Sequence, residues 1–310
     1  MDGVASLEPD IWSQWLDHYR YGFDTDAQDR VLTQVGHYVE RVLNGARLKS
    51  GMVMLDIGCG DGAMSFRAIA QTGPGLQVVL LDISKFLLQR AEYTARNLGL
   101  CPQCRFVQDD AETLSQIADH SVDVVTSRSS LAYVQHKSAS FQNCYRVLKP
   151  GGRLSIMEPI FYDEALAVAA MKMILQARPP DHPDQFLPLW HRIKATQYPD
   201  NESAIRQFAL TNFTERDLVR FAQQAGFVDI QMAFHIEVKP EPPTTLEAFL
   251  ATAPHPLAPS PKEFMAANFS PAERDYICQN LRHMVEQPVR TSIDRVAYLT
   301  ASKPPADILF

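Results

Sequence analysis

An apolar run that passes directly into three closely spaced glycines constrains this chain more than any other feature. Residues 53–62 read Val-Met-Leu-Asp-Ile-Gly-Cys-Gly-Asp-Gly, and a helical pattern begins near Ala63. A backbone that turns sharply from a strand into a helix needs positive φ angles, and glycine also lets a ligand approach without a Cβ in the way. The segment therefore predicts a strand, a ligand-cradling turn and a helix.

Two carboxylates narrow the class of ligand. Asp56 stands two residues before Gly58, where an acid would repel a pyrophosphate but could anchor a cationic amino group. Residues 76–82 form a second apolar run ending in Asp82, 22 residues after Gly60. A carboxylate at that spacing can accept both hydroxyls of a ribose.

Five segments along the chain resemble, in the right order, the class I S-adenosylmethionine-dependent methyltransferases of the small-molecule type. The segments are residues 55–62, 79–84, 106–112, 121–127 and 146–154. They span about residues 51–160. One segment alone would be weak, but five in order are specific. The resemblance implies S-adenosylmethionine as the cofactor and methyl transfer as the reaction.

The resemblance also implies roles for individual residues. Asp56 would hold the cofactor's amino group through the loop or a water, Asp82 would bind the ribose, and Ile83 would cover one face of the adenine. Asp110 would accept from the adenine amino group and the Ala111 N–H would donate to the ring. The assignment to Asp110 stays open by one residue, since Asp109 is adjacent. The implied cofactor-binding set is Tyr21, Asp56, Gly58, Cys59, Gly60, Asp82, Ile83, Asp110, Ala111, Ser127 and Arg128.

A dinucleotide-binding enzyme is the competing interpretation. Gly58-x-Gly60-x-x-Ala63 satisfies a loose dinucleotide fingerprint, with an acid about 20 residues later. Three features argue against an NAD(P)-dependent oxidoreductase. An acid precedes the glycines, no second nucleotide-binding half follows, and residues 148–154 read Leu-Lys-Pro-Gly-Gly-Arg-Leu, as in a methyltransferase.

The acceptor side is less defined. Methyl transfer is an in-line displacement, so the protein mainly aligns the reactants and excludes water. If the acceptor is a hydroxyl, a base of near-neutral pKa helps, which His136, His182, His191 and His235 could supply. Tyr133 and Arg128 could bind a carboxylate or a phenol, and Glu158 could orient an amine or cap a helix. The catalytic candidates are His136, Tyr133, Glu158 and His191, and no metal is expected.

Alternating strand and helix patterns from residue 51 onward predict an α/β fold. We expect a Rossmann-like, seven-stranded, mostly parallel sheet with helices on both faces, with N-terminal helices and helical lid insertions added. In related enzymes such N-terminal helices lie over the cofactor pocket, which makes Tyr19, Arg20 and Tyr21 candidates for closing it. The expected parts of one compact domain are an N-terminal cap (1–50), the cofactor-binding core (51–160), a lid insertion (161–212), a continuation of the core (213–240), a second lid insertion (241–288), and a final strand with its tail (289–310).

Composition excludes several other classes of protein. The 310 residues carry a formal charge of −7 without a run of basic residues, which argues against a nucleic-acid substrate. Five scattered cysteines favour reduced thiols, and the N-terminus lacks the pattern of a signal peptide, so a cytoplasmic location is expected. We also expect no membrane contact and a monomer or homodimer.

These observations predict a methyltransferase acting on a small molecule in specialised metabolism. The cofactor motifs are shared by enzymes that methylate oxygen, nitrogen and carbon, and oxygen is favoured here. The alternatives are a protein that binds S-adenosylmethionine but catalyses a rearrangement or elimination, a non-catalytic partner subunit, and the oxidoreductase above.

Overall fold

A seven-stranded sheet forms the centre of the protein. The computed structural model describes residues 8–179, 181–286 and 290–306. The strands are β1 Val53–Ile57, β2 Gln77–Asp82, β3 Cys104–Gln108, β4 Val122–Arg128, β5 Leu148–Pro159, β6 Val228–Glu241 and β7 Arg290–Ser302. Their order is β3-β2-β1-β4-β5-β7-β6, and only β7 runs antiparallel to its neighbours among these described strands. The predicted Rossmann-like, mostly parallel sheet is confirmed.

Helices precede, separate and follow the strands. They are α1 Ile11–Gln14, α2 Thr25–Ala46, α3 Ala63–Thr72, α4 Lys85–Asn97, α5 Lys137–Val147, α6 Tyr162–Ala177, α7 Phe186–Gln197, α8 Glu202–Gln207, α9 Glu215–Ala225, α10 Leu246–Ala251, α11 Pro261–Asn268 and α12 Pro271–Val285. A π-helical turn, Trp15–Tyr19, continues α1. Within the described ranges, none of the helices has the length and apolarity needed to cross a membrane.

Both faces of the sheet are buried because successive side chains of a strand point to opposite sides. Leu55 of β1 belongs to a core cluster with Phe141 of α5 and Leu218 of α9. Its neighbour Met54 belongs to a second cluster with Val42 of α2 and Ile69 of α3. The near-continuous apolar runs of the central strands are explained by this two-sided burial.

The start of helix α9 follows from two residues in its local sequence. Thr214 caps α9, and the carboxylate of Asp217 accepts both the Thr214 backbone N–H (2.8 Å) and its hydroxyl (3.0 Å), as the spacing of the two residues indicates. By contrast, residues 112–118 do not form a helix. The Asp109 carboxylate accepts the Gln116 N–H (2.8 Å) and Leu114 has a positive φ of 45°, so this segment is a series of turns.

The two segments inserted between strands pack against each other. Leu189 and Ile193 of α7, from residues 161–212, share a buried cluster with Leu250 of α10 and Leu281 of α12, from residues 241–288. Helices α10 and α11 had no sequence-based assignment, although each starts at a capping residue, Thr245 and Ser260 respectively. The two insertions therefore share one buried apolar cluster.

Candidate functional site

The glycine turn after β1 has the geometry that its sequence demands. Gly58, Gly60 and Gly62 all have positive φ, at 66°, 57° and 88°. A Cβ on Gly58 would lie 2.2 Å from the Cβ of Ser130, so this glycine is required by the neighbouring loop. A Cβ on Gly60 would meet no atom within 4 Å. Gly60 therefore presents bare backbone to open space, as a ligand-cradling turn requires.

Asp82 joins the ends of β1 and β2 and faces the same space. Its carboxylate accepts the Gly60 N–H and the Ser84 N–H, each at 2.8 Å. One oxygen is used in each bond, so the carboxylate retains acceptor capacity for further donors. Burial raises the pKa of Asp82, while these backbone donors counteract the rise. The arrangement suits a group that accepts two ribose hydroxyls.

The loop after β3 separates the roles of its two adjacent aspartates. Both oxygens of Asp109 hold the loop together: Oδ1 accepts from the Asp110 N–H and the Ser115 hydroxyl, and Oδ2 from the Gln116 N–H. Asp110 is exposed, and its Oδ1 accepts the Glu112 N–H at 2.7 Å. Its second oxygen has no protein donor among the described residues. Asp110, rather than Asp109, is therefore the residue that is available to bind a nucleobase.

These strand ends open into one cavity of about 690 Å³. One half is lined by the glycine turn, Asp82, the largely exposed Ile83 and the 109–112 loop. The rest of the cavity lies beneath the residues that precede α2, here called the N-terminal segment (residues 8–24), and beneath the helical insertions. Its walls include Trp12, Trp15, Leu16, Arg20, Gln34, Tyr38, Arg128, Tyr133, Met157, Phe161, Glu164, Tyr198, Ala253, Pro254, Pro256, Asp294 and Arg295.

The N-terminal segment covers the cavity through specific contacts. Trp12 packs edge-on against Tyr133, with ring centroids 5.0 Å apart. The Trp15 indole donates to the carbonyl of Ala253 at 2.9 Å, which joins the segment to the second insertion. Tyr21 does not line the cavity: its hydroxyl donates to the backbone carbonyl of Asp17. Of the three expected covering residues Tyr19, Arg20 and Tyr21, Arg20 lines the cavity.

Asp56 and Cys59, two of the expected cofactor-binding residues, lie away from the cavity surface, and for Asp56 this agrees with a role exerted through the loop. Asp56 is completely buried and accepts from the hydroxyls of Ser65 (2.6 Å) and Thr126 (3.4 Å). Burial raises its pKa to about 7. The Cys59 side chain packs in the core cluster beneath α3, where burial holds its pKa well above the usual range. Asp56 supports the turn from below instead of touching its ligand.

Ser127 and Glu158 form a buried support for the next loop. Glu158 Oε2 accepts the Ala132 N–H at 2.9 Å, and Oε1 accepts the Leu131 N–H (3.2 Å) and the Ser127 hydroxyl (3.1 Å). Neither side chain lines the cavity, and burial raises the pKa of Glu158 to about 7. Glu158, expected as a catalytic residue, and Ser127, expected to bind the cofactor, are thus both engaged in holding the turn that carries Tyr133.

The histidine candidates lie outside the cavity. His136 has a side chain that is 72% exposed, and its Nδ1 lies 2.9 Å from Glu112 Oε1 at the rim. His191 lies in α7 with Nε2 3.3 Å from Asp200 Oδ2, remote from the cavity lining. Neither of these two catalytic candidates therefore lines the cavity. Tyr133 and Arg128 do face the cavity, and burial raises the pKa of the Tyr133 phenol, which keeps its proton.

Several residues that line the cavity belong to no motif that the sequence shows. Tyr38 of α2 and the pair Asp294 and Arg295 of β7 reach the cavity from elements far from it in sequence. Pro254 and Pro256 come from the second insertion. The proline content of that insertion was visible, but its contact with the cavity depends on how the insertions pack.

Comparisons with known proteins agree with this geometry. Residues 48–193 match the family model described as a methyltransferase domain. A ubiquinone/menaquinone biosynthesis C-methyltransferase from Pseudomonas putida is 40% identical over 116 residues, which cover 37% of this chain and 44% of the relative. The enzyme of the same name from Haemophilus ducreyi is 39% identical over 120 residues, covering 37% of this chain and 45% of the relative.

A solved structure supports the fold independently. The YcgJ protein from Bacillus subtilis superposes with a TM-score of 0.54 at 17% identity, covering 87% of this chain and 100% of that protein. At that identity the likeness concerns the fold alone. The matches span less than half the length of the curated relatives. The resemblance to class I S-adenosylmethionine-dependent methyltransferases is confirmed by the match to the family model over residues 48–193.

Proposed function

We propose that this protein transfers a methyl group from S-adenosylmethionine to a small organic acceptor. The observation that carries the proposal is the convergence of Gly60, Asp82, Ile83 and Asp110 on one cavity. The open backbone of Gly60 suits the methionine part, and the Asp82 carboxylate suits the ribose. Ile83 offers an apolar face to the adenine, and Asp110 and the Ala111 N–H suit its edge. When bound, S-adenosylmethionine supplies an electrophilic methyl group on a positively charged sulfur.

The rest of the chain supplies alignment and a dry cavity. Trp12, Tyr133, Phe161, Tyr198 and Pro254 line the part of the cavity that we assign to the acceptor, here called the acceptor half, and Trp12 packs edge-on against Tyr133. Aromatic walls of this kind position a small apolar molecule and exclude competing water. A protein that mainly orients two reactants needs few groups that exchange protons.

Carbon is the acceptor atom that we propose, and oxygen becomes the alternative. The curated relatives are named as C-methyltransferases of quinone biosynthesis, which favours carbon over the oxygen preferred from sequence. The described lining of the cavity includes no histidine to deprotonate a hydroxyl. In the proposed step an electron-rich acceptor carbon bonds to the methyl, the sulfur–carbon bond breaks with its electron pair moving to sulfur, and the acceptor then loses a proton to water.

Calorimetric titration with S-adenosylmethionine, S-adenosylhomocysteine and NADH tests the cofactor assignment. We expect micromolar affinity for the first two ligands and none for NADH. Asp82→Asn should weaken binding by roughly 10-fold or more, since each hydrogen bond to a charged group contributes about 1.5–3 kcal/mol. Asp61→Asn is the matched control, because Asp61 belongs to the same turn but is exposed outside the cavity. Binding of NADH alone, or no binding at all, would overturn the proposal.

A turnover assay then tests the reaction and the acceptor atom. Hydroxylated naphthalenes and phenols are incubated with methyl-labelled S-adenosylmethionine, and the product's methyl group is located by NMR. A new carbon–carbon bond supports the proposal, whereas a methyl ether assigns oxygen instead. An acceptor that is converted without formation of S-adenosylhomocysteine would contradict methyl transfer.

A further inference from the structure

Two arginines of the acceptor half have no carboxylate partner. Arg20 and Arg128 both line the cavity, and neither forms an ion pair or a side-chain hydrogen bond with a described residue. The Arg20 guanidinium lies over the Trp15 ring, 5.2 Å from its centroid. Burial and the nearby charge of Arg128 lower the pKa of Arg20 to about 10. Unpaired guanidinium groups held close together are unfavourable unless a ligand compensates them.

The acids of this half are already neutralised by other groups. Arg295 lies 2.9 Å from Asp163 and 3.0 Å from Glu164. Asp294 accepts from Gln34 at 2.6 Å and lies 3.6 Å from Lys239. These carboxylates are therefore not available to Arg20 and Arg128.

The carboxylates that act on Arg128 from a distance do not bind it. Asp56, Asp61 and Glu158 favour its charged form, but none lies within ion-pair distance. Asp56 and Glu158 are buried and engaged with hydroxyl and backbone donors. Burial lowers the pKa of Arg128 from its ordinary value.

A third donor lies beside the two guanidiniums. Tyr133 lines the cavity, and its phenol has no hydrogen-bond partner among the described residues. Tyr133 and Arg20 are close enough for each to influence the other's pKa. A neutral phenol and two guanidiniums form a set of donors without an acceptor, which is the composition of an oxyanion site.

We infer that Arg20 and Arg128, assisted by Tyr133, bind a carboxylate carried by the methyl acceptor. The inference rests on the proposed function and narrows its substrate class to small organic acids. The cofactor also has a carboxylate, so the same donors have two possible sources of ligand. The acceptor is assigned because Arg20 lies over the Trp15 ring and near Tyr133, among the aromatic residues that line the cavity.

Titrations in the presence of saturating S-adenosylhomocysteine test the inference. The ligands are hydroxybenzoates and straight-chain alkanoates, each compared with its methyl ester. We expect at least one acid to bind about 10- to 100-fold more tightly than its ester. Arg20→Gln and Arg128→Gln should each abolish most of that preference. Arg41→Gln should preserve it, because Arg41 stacks on Tyr298 outside the cavity.

Titration of the two variants with S-adenosylhomocysteine distinguishes a carboxylate on the acceptor from the carboxylate of the cofactor. Affinity for S-adenosylhomocysteine should stay within about 2-fold of wild type in both variants. A loss of that affinity, with binding of the decarboxylated analogue unchanged, would place the cofactor's carboxylate on the arginines and overturn the inference. Equal binding of acids and esters, or no binding of any acid, would also overturn it. Failure of wild-type protein to bind S-adenosylhomocysteine would instead refute the proposed function.

Two variants keep the test interpretable if one fails to fold. Arg20 lies in the covering N-terminal segment and Arg128 at the end of β4, so their substitutions perturb different parts of the structure. Thermal unfolding of each variant identifies a folding defect. If one variant is misfolded, the acid-over-ester preference of the other variant tests the inference.

Discussion

Arg90 of α4 and Asp17 of the N-terminal segment form a two-pronged ion pair, in which both terminal guanidinium nitrogens donate to one carboxylate at 2.6–2.8 Å. The pair connects the segment that covers the cavity to the layer of helices beside β2. Each side chain is about one-third exposed. Solvent therefore weakens the interaction, but its geometry favours a closed position of the segment.

Arg90→Met should weaken the binding of S-adenosylhomocysteine by about 2- to 5-fold, because the covering segment loses one anchor worth about 1 kcal/mol or less. Calorimetry measures the affinity. Arg96→Met is the control, since Arg96 pairs with Glu92 on the exposed face of the same helix. An equal effect of both variants would show that the segment does not depend on this ion pair.

Asp110→Asn should remove the recognition of the adenine amino group. The wild-type protein is expected to bind S-adenosylhomocysteine about 10-fold or more tightly than S-inosylhomocysteine, in which a carbonyl replaces that amino group. The variant should bind the two ligands with similar affinity. Asp109→Asn should instead lower the thermal stability, because both Asp109 oxygens hold the loop. Loss of discrimination in Asp109→Asn alone would exchange the two roles.

Asp56 should make stability depend on pH. Its pKa is about 7 in the folded state, whereas an aspartate in an unfolded chain titrates near pH 4. Between roughly pH 4 and 7 the folded protein holds a proton that the unfolded chain has lost, so the free energy of unfolding falls as pH rises.

Asp56→Asn removes this titration and keeps the shape of the side chain. Relative to wild type, the variant should gain about 2 kcal/mol of unfolding free energy between pH 5 and pH 8. Urea unfolding at several pH values measures the difference. Asp61→Asn controls for loss of a charge in the same turn. A constant difference between Asp56→Asn and wild type would contradict the prediction.

Glu158→Gln should destabilise the turn of residues 130–132 by about 1–3 kcal/mol, since the amide NH2 that replaces one carboxylate oxygen cannot accept the backbone N–H that this oxygen binds. Acceptor turnover should fall more than cofactor affinity, because that turn carries Tyr133. Ser127→Ala removes one donor to Glu158 and should have a smaller effect. Equal losses of turnover and of cofactor affinity in Glu158→Gln would contradict a role limited to the acceptor side.

His136→Gln should leave turnover within about 3-fold of wild type, because the side chain is largely exposed and its ring contacts Glu112 at the rim. The pH profile of turnover measures this directly. A loss of 100-fold or more, together with the disappearance of a titration near pH 6–7, would restore His136 as a general base.

Local sequence determined the cofactor half of this protein. The glycine turn and the carboxylate 22 residues after Gly60 depend on backbone conformation and on the parallel strand pattern, both of which act over short distances in the chain. The strand ends of β1 and β2 therefore met where the motifs predicted. Within these motifs, however, the tertiary structure decided which side chains face the cavity, since burial turned Asp56, Cys59 and Ser127 away from it.

The acceptor half was decided by tertiary structure. Arg20, Arg128 and Asp294 come from three distant parts of the chain, and only the packing of the N-terminal segment and β7 around β4 brings them to one cavity. Whether an arginine is paired depends on which carboxylates the fold places beside it. Residue type and spacing do not contain that information, because ion pairs form through space. The sequence by itself therefore determined the cofactor class, and the tertiary structure decided which charged groups line the rest of the cavity.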